Sequence, residues 1–339
     1  MILYDATYNM SFFEFGIQIP ISDSKASRTL AVLMNHPHLG PRQSEWHCDR
    51  IDEPITRKDL ERVHAKAYVA RLYSKALEDE IVQTYELIDA EGRYYRYDPG
   101  AATAPLDGLF RRIRQRVAGT SQCARLALEH GFCFFFGGGM HHAQHDFGNG
   151  FCLLNDVVIA IRKLQAEGRI RTAWVIDVDA HKGDGTAALT FGDDTITTLS
   201  VHMARGWPLD THPVLSDGRP HPSFVPSDID IPVGSGQECE YNIRLIDGLY
   251  RLAAGPKPDL AVVLAGADPY AKDALPSTRG LRLSRGQLFD RDRLIYRFLQ
   301  DRGIPHAGLM AGGYGEAAWE IYGRYLSWAL CDRMSGCST

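Results

Sequence analysis

The sequence contains no apolar run approaching the roughly 20 residues that a bilayer-spanning helix needs. Its longest apolar stretches, Phe132–Phe136 and Leu260–Ala265, are far shorter, which excludes a membrane span of that kind. Charge of one sign is also scarce: 37 Lys and Arg against 42 Asp and Glu give a net charge of −5. A nucleic-acid-binding chain would carry a global positive balance, so only a local basic patch is left open. Cysteine is present without pattern. The seven, Cys48, Cys123, Cys133, Cys152, Cys239, Cys331 and Cys337, are odd in number and form no C-x-x-C pair, which points to reduced thiols in a cytoplasmic protein. The opening MILYDATYNMSFFEFG carries Asp5 and Glu14 and lacks the basic, apolar, small-residue order of a secretory signal, so a cytoplasmic location is expected. There is no internal repeat and no low-complexity tract, which excludes a solenoid.

What is present is ordinary globular material: 45% hydrophobic and 23% charged residues, enough to bury a substantial core. From Cys123 onward, short runs of aromatic and β-branched residues alternate with helix-period segments, the pattern of a parallel sheet covered on both faces. Strands are predicted at Phe132–Phe136, Thr172–Val178, Thr195–Val201, Leu260–Ala265 and Ala307–Met310. Helices are predicted near Leu153–Glu167, Gln237–Ala254, Ser284–Arg302 and Glu316–Leu330. Residues 1–122, with NHPHLGPRQ and DAEGRYYRYDPGAATAP, read as long loops that complete the sheet and wall a site. The expected architecture is one α/β domain over residues 1–339, with a central, mostly parallel sheet of about eight strands flanked by helices on both faces.

Each predicted strand ends in a polar or glycine-rich turn: GGGMHHAQH, DVDAHKGDG, SVHM, AGADP and AGGYG. A parallel sheet puts such turns at its carboxyl edge, so the His, Asp and Tyr residues should gather in one crevice. In DVDAHKGDG, Asp179 and His181 lie two apart at a strand end, where an extended backbone turns both side chains the same way. Asp177 shares their parity and Asp184 falls in the turn beyond; carboxylates this dense repel one another unless a cation or hydrogen-bond donors neutralise them. Asp268 follows a later strand. Two carboxylates and one imidazole suit a borderline divalent metal with open positions for water and substrate. His141 and His142 follow three glycines; each ring could bond an acidic partner, with Asp177 and Asp184 unassigned, and proton transfer is the chemistry such a pair serves. Tyr314 offers a phenol that could polarise a carbonyl.

Taken in order, GGGMHHA, GFCLLND, DVDAHKGDG, AGADP and GGY resemble the zinc-dependent histone deacetylase family, with its arginase-like α/β fold. The likeness extends from YNMSFFEFG and SDSKASR, similar to bacterial and class IV members, through Leu330. The resemblance implies removal of an acyl group from an acyl-lysine peptide or protein, or from a small acylated amine, with Asp179, His181 and Asp268 as zinc ligands and iron as the alternative metal. It pairs His141 with Asp177 and His142 with Asp184. His142 would be the main general base and acid, His141 would give electrostatic support, and Tyr314 would hold the acyl oxygen. Gly150, Phe151, Trp207 and Leu275 would line the acyl tunnel. A potassium site would be built around Asp177, Asp179, His181, Ser200 and Val201.

Two departures bear on pocket shape: Lys182 stands where the family has His or Gln, and Met140 where Trp or Phe is frequent. Polyamine-selective members of the eukaryotic kind place a Glu seven residues after the last zinc ligand; here that position is Leu275, which weakens a polyamine reading. The alternatives carried are an acetylpolyamine amidohydrolase, a long-chain lysine deacylase, and a catalytically silent binding module. Neither nucleic acid nor membrane is expected as a partner, and a homodimer is left open. His36, His38, His47, His212 and His221 receive no role, His202 reads as structural support, and His145, Asp146 and Asp273 read as rim residues. The glycine triplet is not a phosphate loop, because it lacks both the G-x-G-x-x-G spacing and a following Lys.

Overall fold

The computed structural model describes residues 1–8, 11–21 and 24–334. Parts of YNMSFFEFG and SDSKASR, and Cys337, lie outside the described residues. Eight parallel strands form one sheet: β1 (Ile2–Leu3), β2 (His47–Cys48), β3 (Phe132–Phe135), β4 (Ala173–Asp177), β5 (Ile196–Met203), β6 (Ile229–Val233), β7 (Leu260–Leu264) and β8 (His306–Leu309). Their order is β2-β1-β3-β8-β7-β4-β5-β6. The chain therefore runs outward from β4 through β5 and β6, then crosses back to lay β7 and β8 on its other side, and such a reversal opens a crevice at the carboxyl ends.

Both faces are buried, which is why the strands read as continuous apolar runs. Cys133 and Phe135, Val175, Val262 and Leu264 point into one core, with the helices Gly108–His130 and Asp156–Ala166. Phe132 and Phe134, Trp174 and Ile176, Ala261 and Val263 point into the other, with Tyr241–Ala253, Arg285–Asp301 and Ala318–Arg333. The five predicted strands and four predicted helices are present with ends shifted by a few residues. Two of these four helix starts are fixed by side chains: Asn155 accepts from the Val158 N–H, and Ser284 and Gln287 form a reciprocal capping box.

Residues 1–122 are more regular than their sequence suggests. Among the described residues they hold β1 and β2, the helix Lys25–Met34, four shorter α-helices and most of Gly108–His130. That last helix carries little apolar periodicity because its central stretch, Gly119 to Ala124, is buried through small and polar side chains. Gly119 is there for space, since a Cβ on it would stand 2.2 Å from the ring of Phe135. β6 was not expected either. Its IDIPV run contains Asp230 and Pro232, which demote a strand reading, yet both are tolerated at the sheet edge that β6 forms.

Candidate metal and catalytic site

The four turns that carry the predicted site follow β3, β8, β7 and β4, which are consecutive neighbours in the sheet. Adjacency at the carboxyl edge brings their side chains together. One ligand atom from each of Asp179, His181 and Asp268 lies within 4.8 Å of the others, and all three residues are buried. His181 Nδ1 is 3.3 Å from both Asp179 Oδ1 and Asp268 Oδ2, while its Nε2 is 3.1 Å from Ser277 Oγ. Backbone amides occupy the other oxygens: Gly312 N–H donates to Asp179 Oδ2 and Ala180 N–H to Asp268 Oδ1, each at 3.1 Å. Among the described residues, buried Asp268 Oδ2 accepts no hydrogen bond, and its 3.3 Å approach to His181 Nδ1 is a charge contact only.

Two features hold this cluster in register. Arg291, fully buried, donates from one guanidinium nitrogen to the carbonyls of Val178 (3.0 Å) and Gly266 (2.8 Å), joining the turns that carry Asp179 and Asp268. Its Nε donates to Asp292 at 2.8 Å. Gly312 has no room for a side chain, because a Cβ there would sit 2.4 Å from Asp179 Oδ2.

Beside the cluster, His141 Nδ1 meets Asp177 Oδ2 at 2.6 Å and His142 Nδ1 meets Asp184 Oδ1 at 2.7 Å, with ring centroids 3.9 Å apart. Asp184 begins the short helix Asp184–Thr190 and does not lie in an open turn. Its second oxygen accepts from Ser223 Oγ (2.6 Å), Gln144 Nε2 (3.0 Å) and Asn149 Nδ2 (3.4 Å). The two imidazoles are consequently unlike. Burial would lower the His141 pKa, but the charges of Asp177 and Asp179 outweigh it and push it up to about 9. Burial, reinforced by His141, lowers His142 to about 4. A neutral, hydrogen-bonded imidazole beside a charged one is a workable proton acceptor.

In the metal-free chain, burial opposes charge on His181 too, yet its hydrogen bond with Asp179 and the close Asp268 carboxylate raise it to about 10. Burial and the neighbouring Asp179 raise Asp268, while His141 and His181 hold Asp179 well below the usual carboxylate range against the effect of burial. Protons thus offset the crowding of carboxylates, and a divalent cation could replace them.

Tyr314, Phe151, Gly150, Trp207 and Leu275 line one pocket of about 130 Å³ with His142 and His181. All four expected tunnel residues are therefore at its walls. Gly150 permits a close approach, since a Cβ would fall 2.2 Å from the Trp207 ring, and Phe151 takes a left-handed φ of 64°. Tyr314 is set from behind: its N–H donates to Asp273 at 2.8 Å, and half-buried Lys25 donates to the carbonyls of Ala311 and Gly313 at 3.2 Å. Asp273 is thus a support under the tyrosine turn, where the sequence suggested a rim residue. Ser200 and Val201 are buried on β5 with Ser200 in register with Asp177, and Ser200 Oγ has no hydrogen-bond partner among the described residues.

Residues 20–326 match the histone deacetylase domain family. This chain belongs to the histone deacetylase family. Relatives of this family member include histone deacetylase 2 of Arabidopsis thaliana, 26% identical over 94% of this chain and 76% of the relative. The acetoin utilization protein AcuC of Staphylococcus aureus is 25% identical over 92% of this chain and 76% of its own length. An uncharacterized Picosynechococcus protein is 32% identical over 64% of this chain and 68% of its length. The family and these names indicate a deacetylase, a hydrolase acting on acylated substrates. No helix among the described residues is long and apolar enough to cross a membrane.

Sequence reasoning missed Ser223, Gln144, Ser277, Lys25 and Arg291 as parts of this histone deacetylase-family site. None stands in a motif with the residue it supports, so contact across the fold was the only signal.

Proposed function

We propose that the chain hydrolyses the amide of an N-acyl amine, with acyl-lysine as the substrate class, as a zinc-dependent deacetylase. The observation that carries this reading is the convergence of Asp179, His181 and Asp268 beside two His–Asp pairs at the base of a pocket walled by Tyr314. The donors fit the metal. Two carboxylates balance a divalent charge, one neutral imidazole suits a borderline ion, and Asp268 Oδ2, which accepts no hydrogen bond among the described residues, supplies a buried oxygen for a cation.

When bound, zinc would polarise the acyl carbonyl and lower the pKa of a water molecule. The side chains supply the rest. The substrate carbonyl sits within reach of the Tyr314 phenol, which burial, reinforced by Asp179, keeps protonated and able to donate as the oxygen becomes anionic. His142, neutral and held by Asp184, accepts a proton from the attacking water. The water oxygen bonds to the carbonyl carbon to give a tetrahedral oxyanion; as that oxyanion re-forms the C=O bond and the C–N bond breaks, the same imidazole returns the proton to the departing amine. His141, charged against Asp177, supports the anion electrostatically. Phe151 and Trp207 exclude water and hold the linear acyl-amine stem. A structural potassium ion is proposed at Asp177, Asp179, His181, Ser200 and Val201, supported by the bare Ser200 hydroxyl; residues 1–339 are read as one domain.

The test is hydrolysis of an acetyl-lysine peptide by the zinc-loaded chain, compared with acetylputrescine and a long-chain acyl-lysine peptide. Activity lost to a chelator and restored by zinc supports the reading. Absence of turnover on every acyl amine with metal bound would favour the silent binding module. Buried Leu275 at the pocket wall, in place of an acidic residue, favours a peptide over a polyamine.

A further inference from the structure

Two segments, 203–210 and 270–285, lie side by side along one wall of the pocket mouth and contribute Trp207, Leu275 and Ser277 to it. Their closeness is set by Gly280, where a Cβ would be 2.9 Å from Met203 Sδ and 3.5 Å from the Arg205 carbonyl. Along these segments stand four exposed cations, Arg205, Lys272, Arg279 and Arg282. Among the described residues, none of the four has an ion pair or a side-chain hydrogen bond. Arg285 is excluded from this group because it pairs with Glu320.

Opposing acid is nearly absent. Asp273 is engaged by the amides of Tyr314 and Leu275, which leaves Asp210 as the one exposed carboxylate on either segment. Arg279 and Arg282 also border a polar recess of about 100 Å³, with Asp273 and Thr278 beneath them. Elsewhere in the pocket lining, Glu86 and Arg96 pair with each other and cancel. The part of the lining with Glu86 and Arg96 is therefore neutral and the two segments carry excess positive charge, although the chain as a whole is negative at −5.

We propose that this basic rim receives an acidic flank of the acylated peptide or protein, so that acyl-lysines close to Asp or Glu are the preferred substrates. Arg279 is two residues beyond Ser277, a backbone span of at most about 7 Å. In an extended peptide that span covers side chains one to three residues from the acyl-lysine. Exposed, unpaired charges act by steering and by choosing among partners more than by tight contact, so the effect belongs in the approach of the substrate. The proposal rests on the deacylase reading above and narrows it to a substrate class.

The experiment uses the zinc-loaded full chain and three acetyl-lysine peptides of equal length, flanked by Asp and Glu, by Ser and Gly, or by Lys and Arg. At low ionic strength kcat/KM should fall in that order, by about tenfold from first to last, and the spread should shrink as salt is added. Arg279→Glu combined with Arg282→Glu should invert the order. Equal kcat/KM for the three peptides, or an acidic preference that survives the double charge reversal, would overturn the proposal. If no peptide is cleaved, the deacylase reading fails by itself, and fluorescence anisotropy of the same labelled peptides still tests the rim. Tighter binding of the acidic peptide, lost in the double variant, upholds the rim; equal binding ends it.

Discussion

Ser223 donates its hydroxyl proton to Asp184 Oδ2 at 2.6 Å, and so holds in place the carboxylate that aims His142. The hydroxyl is delivered from a distant segment that buried Lys182 anchors through the Val225 carbonyl at 2.6 Å. The unusual Lys182 thus has a structural use, though it lies beside a proposed ligand. Ser223→Ala is expected to lower kcat about tenfold, equivalent to about 1.4 kcal/mol, with little change in KM and full zinc content. Ser223→Thr should recover part of the loss. Steady-state kinetics with metal analysis would check this, and unchanged kcat in Ser223→Ala would remove the assigned role.

Replacing a proposed ligand and replacing the proposed oxyanion donor should give different phenotypes. Asp179→Ala and His181→Ala are each expected to abolish zinc retention, whereas Tyr314→Phe should keep the metal and lose about 3 kcal/mol of transition-state stabilisation. Metal content after dialysis and kcat on an acetyl-lysine peptide separate the two; a fully active Tyr314→Phe would contradict the proposal for the phenol.

Arg291 should matter for folding before it matters for turnover. Arg291→Met strands the Asp292 carboxylate and two carbonyls, and a cost of about 3–5 kcal/mol is expected for a broken buried pair. Removing both charges, as Arg291→Met with Asp292→Leu, should regain much of it. Urea unfolding of the metal-free proteins measures this, and a double variant no more stable than the single one would argue against the charge explanation.

Stability should also respond to acid through His64. Its Nδ1 donates to the Gln144 carbonyl (2.8 Å) and its Nε2 accepts from the Asn155 N–H (3.0 Å), so the neutral tautomer is fixed. Burial lowers its pKa to about 4. The unfolded chain takes up that proton near pH ~6.5 and the folded chain much later, so this contribution is complete above pH ~6.5. It declines by up to ~1.4 kcal/mol per pH unit as the pH falls toward the folded value. His64→Asn should show a shallower decline of unfolding free energy over that interval, and parallel slopes would reject the assignment.

The parts of this fold that were legible in sequence are those with a local signature. β3, β4 and β7 announce themselves as short apolar runs because they are buried on both faces, and the turns after them carry motifs whose residues act near one another. Gly108–His130 and β6 were missed for opposite reasons: one buries polar and small residues that give no apolar rhythm, and the other hides a proline at an edge. At the site, His141, His142, Asp177, Asp179 and Asp184 could be grouped from spacing, but Ser223, Lys25 and Arg291 could not. Each reaches its partner across the fold, and no short window of sequence contains both ends of such a contact.

A sheet whose eight strands share one direction delivers its chemistry to a single rim and leaves the opposite rim idle. The turn before β7, with exposed Gly255, Pro256 and Lys257, opens on that idle side. An affinity tag, a fluorophore or a tether to a solid support placed there would hang below the molecule, leaving the pocket mouth clear for even a large acylated protein.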